Sequence, residues 1–226
     1  MTVVRCRADA AELHGLDPFA LHDGTVPWLL VCEATRPAVV LGSRQDPSEL
    51  DLAACAAGGF EIVRRRSGGG VVVLRPGELI WIDIVVPAAA HGVPADVRGS
   101  MIWAGERWAE ALASIDRASP AITVHRGGMV ATPWSQRLCF AGVGPGELLD
   151  GDRKLVGLSQ RRTRHGARIQ GLVHRRARLA EDLALLAAPH PPGTPTPLAE
   201  LGDGVGAEQL VEGLATALEW NGGNWG

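Results

Sequence analysis

At 226 residues and 46% hydrophobic, the chain can bury a sizeable core within one domain; its 29 glycines and 15 prolines lie scattered among apolar runs, which excludes a disordered chain. A net charge of −3 argues against broad binding to nucleic acid or to an anionic membrane, and the most apolar run, LIWIDIVVPAAA, carries Asp83 and falls well short of a membrane span. No charged and then apolar leader opens the sequence, and Cys6, Cys32, Cys55 and Cys139 lack metal-type spacing, so the expectation is a cytoplasmic protein with reduced thiols and no metal bound by its own side chains.

In chain order, VPWLLVCEATRPAVVLGSRQ reads as strands over 28–34 and 38–42, hinged at Arg36-Pro37. Residues 48–57 read as a short helix started by Ser48 after Pro47. FEIVRRR, VVVL and ELIWIDIVVP follow as three strands rich in β-branched residues. A helix over 98–115 puts Met101, Trp108, Leu112 and Ile115 on one face. AITVHR, RLCFAGV, GELLDGDRKLVGLSQRR and ARIQGLVH then read as mostly antiparallel strands with tight turns, Asp150-Gly151 being the clearest. A helix near 178–187 leads into the connector PHPPGTPTP, and an amphipathic helix over 206–219 carries Leu210, Val211, Leu214 and Leu218. Strands and helices come in blocks without steady alternation, which predicts an α+β fold.

Two features carry chemistry. VRRRSGGGVVV places three arginines and three glycines between strands; such glycines let backbone amides approach a ligand, and alternation along the strand puts Arg64 and Arg66 on one side and Arg65 on the other. By itself this loop reads as a β-bulge or hairpin with a solvated charged edge sooner than as an anion-binding nest, and it is neither a P-loop nor a dinucleotide fingerprint. The second feature is Lys154, the single lysine among 22 Lys+Arg. An ammonium is a compact point charge that enters narrow pockets, where a guanidinium is a broad planar fork.

Taken together, VVLGSRQ (39–45), VRRRSGGGVVV with PGEL (63–79) and GDRKLVGLSQRR (151–162) resemble, in order and spacing, the lipoate–protein ligase, octanoyltransferase and biotin ligase superfamily over about residues 28–175. The resemblance implies an α+β fold with a central mixed, largely antiparallel sheet and flanking helices. The catalytic unit would span 1–190, with 191–226 as a connector and terminal helix of the same unit. It implies that Arg64, Arg65, Ser67, Gly68, Gly69, Gly70 and Val71, with Gly157 and Ser159, line the acyl site, and that Lys154 meets the acyl carbonyl or an adenylate phosphate. Val71, Val73 and the LIWIDIV strand are expected to wall a long apolar slot.

The implied activity is attachment of a lipoyl or octanoyl group to a lysine of lipoyl-domain proteins through an acyl-adenylate, using ATP and Mg²⁺. Cys139, fifteen residues before Lys154 in a pattern CF…EL…RK, offers a transferase route without cofactor, taking octanoyl from an acyl carrier protein onto its thiol. As a plain residue, Cys139 fits a buried core position equally. Departures from the family pattern are Leu74 and Arg75 where His and Asp are usual, Glu78 where Asn is usual, and the missing Asn-Asp pair before the lysine motif. They leave room for a non-catalytic acyl-binding relative. A separate accessory chain is a further expected partner. The basic run 161–178 lacks interleaved aromatics and reads as a docking face for an acidic carrier or lipoyl domain, with no nucleic-acid or membrane partner.

Overall fold

The computed structural model describes residues 1–115 and 121–219. Its strands are β1 (Val3–Ala8), β2 (Trp28–Ala34), β3 (Ala38–Leu41), β4 (Glu61–Arg64), β5 (Val72–Leu74), β6 (Leu79–Pro87), β7 (Ile122–Val124), β8 (Leu148–Asp150), β9 (Arg153–Thr163) and β10 (Gly166–His174). Its helices are α1 (Ala10–Gly15), α2 (Leu52–Ala57), α3 (Val97–Ser114), α4 (Leu179–Leu183) and α5 (Ala207–Glu219). None of them is long and apolar enough to cross a membrane.

Seven strands form one sheet in the order β1-β2-β6-β10-β9-β8-β7, in which only β1 and β2 run parallel. A small sheet, β4-β3-β5, pairs β3 parallel to β4 and antiparallel to β5. This is the mixed, largely antiparallel α+β architecture that the strand pattern and the motifs predict.

The strand period of two decides which layer each residue joins. On β6, Ile80, Ile82, Ile84 and Val86 pack with Trp108 and Leu112 of α3 and Leu210 and Leu214 of α5. The intervening Trp81 and Val85 face the other way, into a core shared with Leu30 of β2, Val40 of β3 and Leu74 of β5. So the large sheet carries helices on one face and the small sheet on the other. Asp83, fully buried between those apolar neighbours, is held by Arg168 at 2.6 Å and by the Trp81 indole at 2.6 Å. Arg168 also donates to the carbonyls of Leu13 and Leu16, which ties α1 to the sheet.

Three segments differ from the sequence expectation. The region 48–57 is two pieces, a 3₁₀ turn Pro47–Glu49 under a capping box from Asp46 and then α2 capped by Asp51. Leu50 between them is extended because its backbone bridges Leu186. RLCFAGV is no strand: Val71 bridges Leu138, after which Cys139–Ala141 turn as a 3₁₀ helix. The helix near 178–187 is confined to Leu179–Leu183.

Candidate functional site

Between the two sheets lies a slot of about 440 Å³, counted out to open solvent. Its apolar walls come from Val40, Val72, Leu74, Trp81 and Leu172. Val71 and Val73, expected to wall it, point to the opposite face of β5, into a cluster with Leu41, Trp134 and Leu138. Alternation along the strand is the reason: choosing Val72 and Leu74 for the slot turns their neighbours away.

The glycine loop closes one side of the slot, and Arg65 shapes it from within. Arg65 is 4% exposed; its Nη2 donates to the carbonyls of Gly68 (2.8 Å) and Gly70 (2.9 Å), while Nη1 is buried without a partner among the described residues. Arg64 and Arg66 are exposed, the opposite side that alternation assigned to them. Gly69 has φ +98, and a Cβ there would sit 2.8 Å from Arg65 Nη2 and 3.2 Å from Cys139 Sγ, so glycine is required both by conformation and by space. A Cβ on Gly70 would fall 2.6 Å from the Leu138 backbone. That close approach lets Val71 exchange hydrogen bonds with Arg137 (2.8 Å) and Cys139 (2.9 Å), which brings the cysteine beside the loop and into the wall of the slot. Ser67 reaches across to Ser159 of β9, Oγ to Oγ 3.2 Å, and Ser159 continues to Gln170 Oε1 at 3.4 Å.

Lys154 is 4% exposed. Its Nζ donates to Glu147 Oε2 at 2.8 Å and to the Cys139 carbonyl at 3.0 Å, and lies 5.2 Å over the Phe140 ring. Gly157 meets the same ring, a Cβ there falling 2.8 Å from it. Residues three apart on a regular strand face opposite ways, so a shift of register is needed. Leu148 pairs with Val156 and Leu149 with Lys154, leaving Leu155 as the extra residue of a bulge; Leu155 and Val156 both enter the helical core. The bulge puts the ammonium on the slot side of the sheet.

Glu147, the E of the CF…EL…RK pattern, was not among the expected site residues. It is 4% exposed and also accepts from the amides of Gly144 (2.6 Å) and Leu158 (3.0 Å), so both oxygens are used. The available signal was physical: a single ammonium taken out of water needs a carboxylate, and GELL lies seven residues upstream. His14, Trp81, Phe140 and Gln170 complete the lining. Burial, reinforced by the charges of Arg168 and Arg65, pushes the His14 imidazole down to about 3, so it is neutral near pH 7. His174, edge-on to Phe140 at 4.9 Å, is lowered to about 4 by burial and then by Arg75.

The structure therefore lines one slot with Arg65, Cys139, Gly157 and Ser159, sets Gly69 against Cys139 and Ser67 against Ser159 at its edge, and joins Lys154 to it through the Cys139 carbonyl. It leaves Arg64 in solvent and Val71 in another core; Gly68 is exposed, and a Cβ there would meet nothing within 4 Å. At the positions that depart from the family pattern, Leu74 lines the slot, Arg75 binds Asp182 at 2.5 Å and Glu78 binds Arg178 at 2.5 Å. The last two are ion-pair positions. Among the described residues no three His, Cys, Asp or Glu side chains come together as a metal site.

The model of the lipoyl protein ligase A/B catalytic domain matches residues 19–192. No curated protein matches the chain in sequence. Among solved structures, lipoate-protein ligase A bound with ATP is similar with TM-score 0.74 and 16% identity, over 97% of this chain and 84% of that one. Protein Ta0514 from T. acidophilum with bound lipoic acid gives TM-score 0.70 and 15% identity over the same shares, 97% and 84%. The bi-partite lipoate protein ligase of Thermoplasma acidophilum, solved in a study that includes its lipoyl domain, gives 0.69 and 14%, over 97% and 82%. With most of its length matched by the family model, and with the sheet, glycine loop and buried lysine in place, the chain belongs to the lipoyl protein ligase A/B catalytic domain family.

Proposed function

We propose that the chain attaches a lipoyl or octanoyl group to a lysine of lipoyl-domain proteins, with the acyl chain in the slot and its carbonyl at the end formed by Cys139 and Lys154. The observation that carries this reading is an apolar slot in which one buried guanidinium nitrogen, Arg65 Nη1, has no partner among the described residues. A carboxylate or phosphate oxygen supplies the missing acceptor, and an unpaired buried cation gains more from one than an exposed cation does. The ATP-bound and lipoic-acid-bound relatives of the same fold support it.

In the ligase form, the substrate carboxylate attacks the α-phosphorus of ATP and pyrophosphate leaves. The acceptor amine then attacks the acyl carbon, loses a proton, and AMP departs. Arg65 and the loop amides hold the anionic head, and Lys154 offsets charge that grows on the acyl oxygen or leaving phosphate. Mg²⁺ would be held chiefly by the nucleotide phosphates.

Cys139, standing in the slot wall beside Gly69, favours a second reading. Its thiolate attacks an octanoyl-carrier thioester, the carrier thiol leaves, and the acceptor lysine takes the acyl group and frees the cysteine. Apo lipoyl domain incubated with lipoate and ATP, or with octanoyl carrier protein, and followed by mass decides between them. Transfer by a Cys139→Ser variant excludes the thioester; transfer without ATP excludes the adenylate. Saturable lipoate binding with no mass gain under either condition overturns the enzyme and leaves an acyl-binding protein.

A further inference from the structure

The slot does not end in an apolar floor. Along β9, Gly157 and Ser159 line it, and the next residues on that face, Arg161 and Thr163, line a second cavity. Along β10, Leu172 and Gln170 line the slot and Arg168 the second cavity. His14 and Gln170 border both, so the two spaces adjoin, with the hydrogen-bonded chain Ser67–Ser159–Gln170 at their boundary. At a strand rise of about 3.3 Å per residue, Arg161 stands about 13 Å beyond Gly157, the reach of an extended medium-chain acyl group.

The second cavity is polar and its free charge is positive. Among the described residues the side chains of Arg66 and Arg161 make no hydrogen bond or ion pair, whereas Arg168 is used by Asp83 and by the carbonyls of Leu13 and Leu16. Asp17 is the one carboxylate on the rim, and its side chain caps the Phe19 amide. His165 faces Arg164 at 3.0 Å. Ser67 and Gln170 add a hydroxyl and an amide where the apolar walls stop.

We propose that this second cavity is the terminal subsite of the acyl slot and takes an anionic group, an ω-carboxylate, at the far end of a medium-chain acyl substrate. The inference rests on the reading above for the direction of the chain: carbonyl toward Cys139 and Lys154, far end toward Arg66 and Arg161. One cation pair then meets the far carboxylate, and Arg65 Nη1 meets the reacting one.

The test is calorimetric titration of the full chain with nonanedioate and with octanoate, on the wild type and on the double variant Arg66→Gln, Arg161→Gln. Charge-assisted bonds at the far end predict that nonanedioate binds about tenfold tighter than octanoate, and that the double variant brings the two affinities together. Equal affinities in the wild type, or a difference that survives in the double variant, overturn the subsite and mark these arginines as solvated cations only. Transfer of nonanedioyl against octanoyl to an apo lipoyl domain separates the two ideas. Octanoyl transfer without a nonanedioyl preference strikes the subsite alone, and failure of both donors strikes the acyl-transfer reading while the titration still judges the subsite.

Discussion

Lys154 Nζ lies 2.8 Å from Glu147 Oε2, and neither residue is more than 4% exposed. A pair this deep is weak evidence of net stabilisation, but breaking it is costly, because the survivor stays charged away from water.

Glu147→Gln is therefore expected to destabilise the fold by about 3 kcal/mol. The double variant Glu147→Gln, Lys154→Met should recover part of that loss, since it leaves no unpaired charge. Urea unfolding of the wild type, both single variants and the double variant reads the coupling; additive losses would contradict a direct pair.

Two of the loop glycines should respond differently. Gly70→Ala forces a Cβ to within 2.6 Å of the Leu138 backbone and should cost about 1–3 kcal/mol, together with displacement of Cys139. Gly68→Ala meets nothing within 4 Å and should be nearly neutral in stability. Thermal denaturation of both, with alkylation kinetics of Cys139, distinguishes a packed loop from a merely flexible one.

His14 binds its proton less readily in the fold, at about 3 against 6.5 for a free imidazole. The unfolded chain thus takes up the proton first, so the contribution of this group is complete above pH 6.5 and is lost as pH falls toward 3. The slope is about 1.4 kcal/mol per pH unit. His174, lowered to about 4, acts in the same direction; Asp182, raised to about 6 by burial, acts in the opposite one between pH 6 and 4. His14→Gln should flatten the acid limb of stability by the slope of one proton, measured by urea unfolding from pH 7 to 4.

Phe140 borders the slot and also a cavity beyond it that contains His174 and Asp182. Phe140→Ala should join the two spaces and expose Lys154, and so weaken fatty-acid binding at the carboxylate end about equally for every chain length. Competition binding across a series from hexanoate to dodecanoate would show the uniform loss; a shifted optimum would mean that the ring stands at the far end of the chain.

Much of this architecture was legible in the sequence because it rests on period and punctuation. β2, β6 and β10 announce themselves by β-branched runs, and the β8–β9 turn sits at Asp150-Gly151 with Gly151 at φ +63. The glycine loop and the lysine were found by motif. What the sequence did not reveal depends on contacts distant along the chain. RLCFAGV has the composition of a strand, but its bridge to Val71 leaves it as a turn that presents Cys139. Val71 and Val73 cannot be told from Val72 and Leu74 until the face of β5 is known. Arg65 and Arg64 are neighbours of one type, and only burial shows which of them organises the loop.

The bulge at Leu155 makes the position of the amino group a question of parity. Were β9 regular there, with every letter of RKLVG in place, Gly157 and the lysine would fall on opposite faces, and the ammonium would leave the slot side for the α3 layer, among Trp108 and Leu112. Two chains with nearly the same signature could thus differ in whether their ammonium stands beside the cysteine at all, a difference that motif matching alone would pass over.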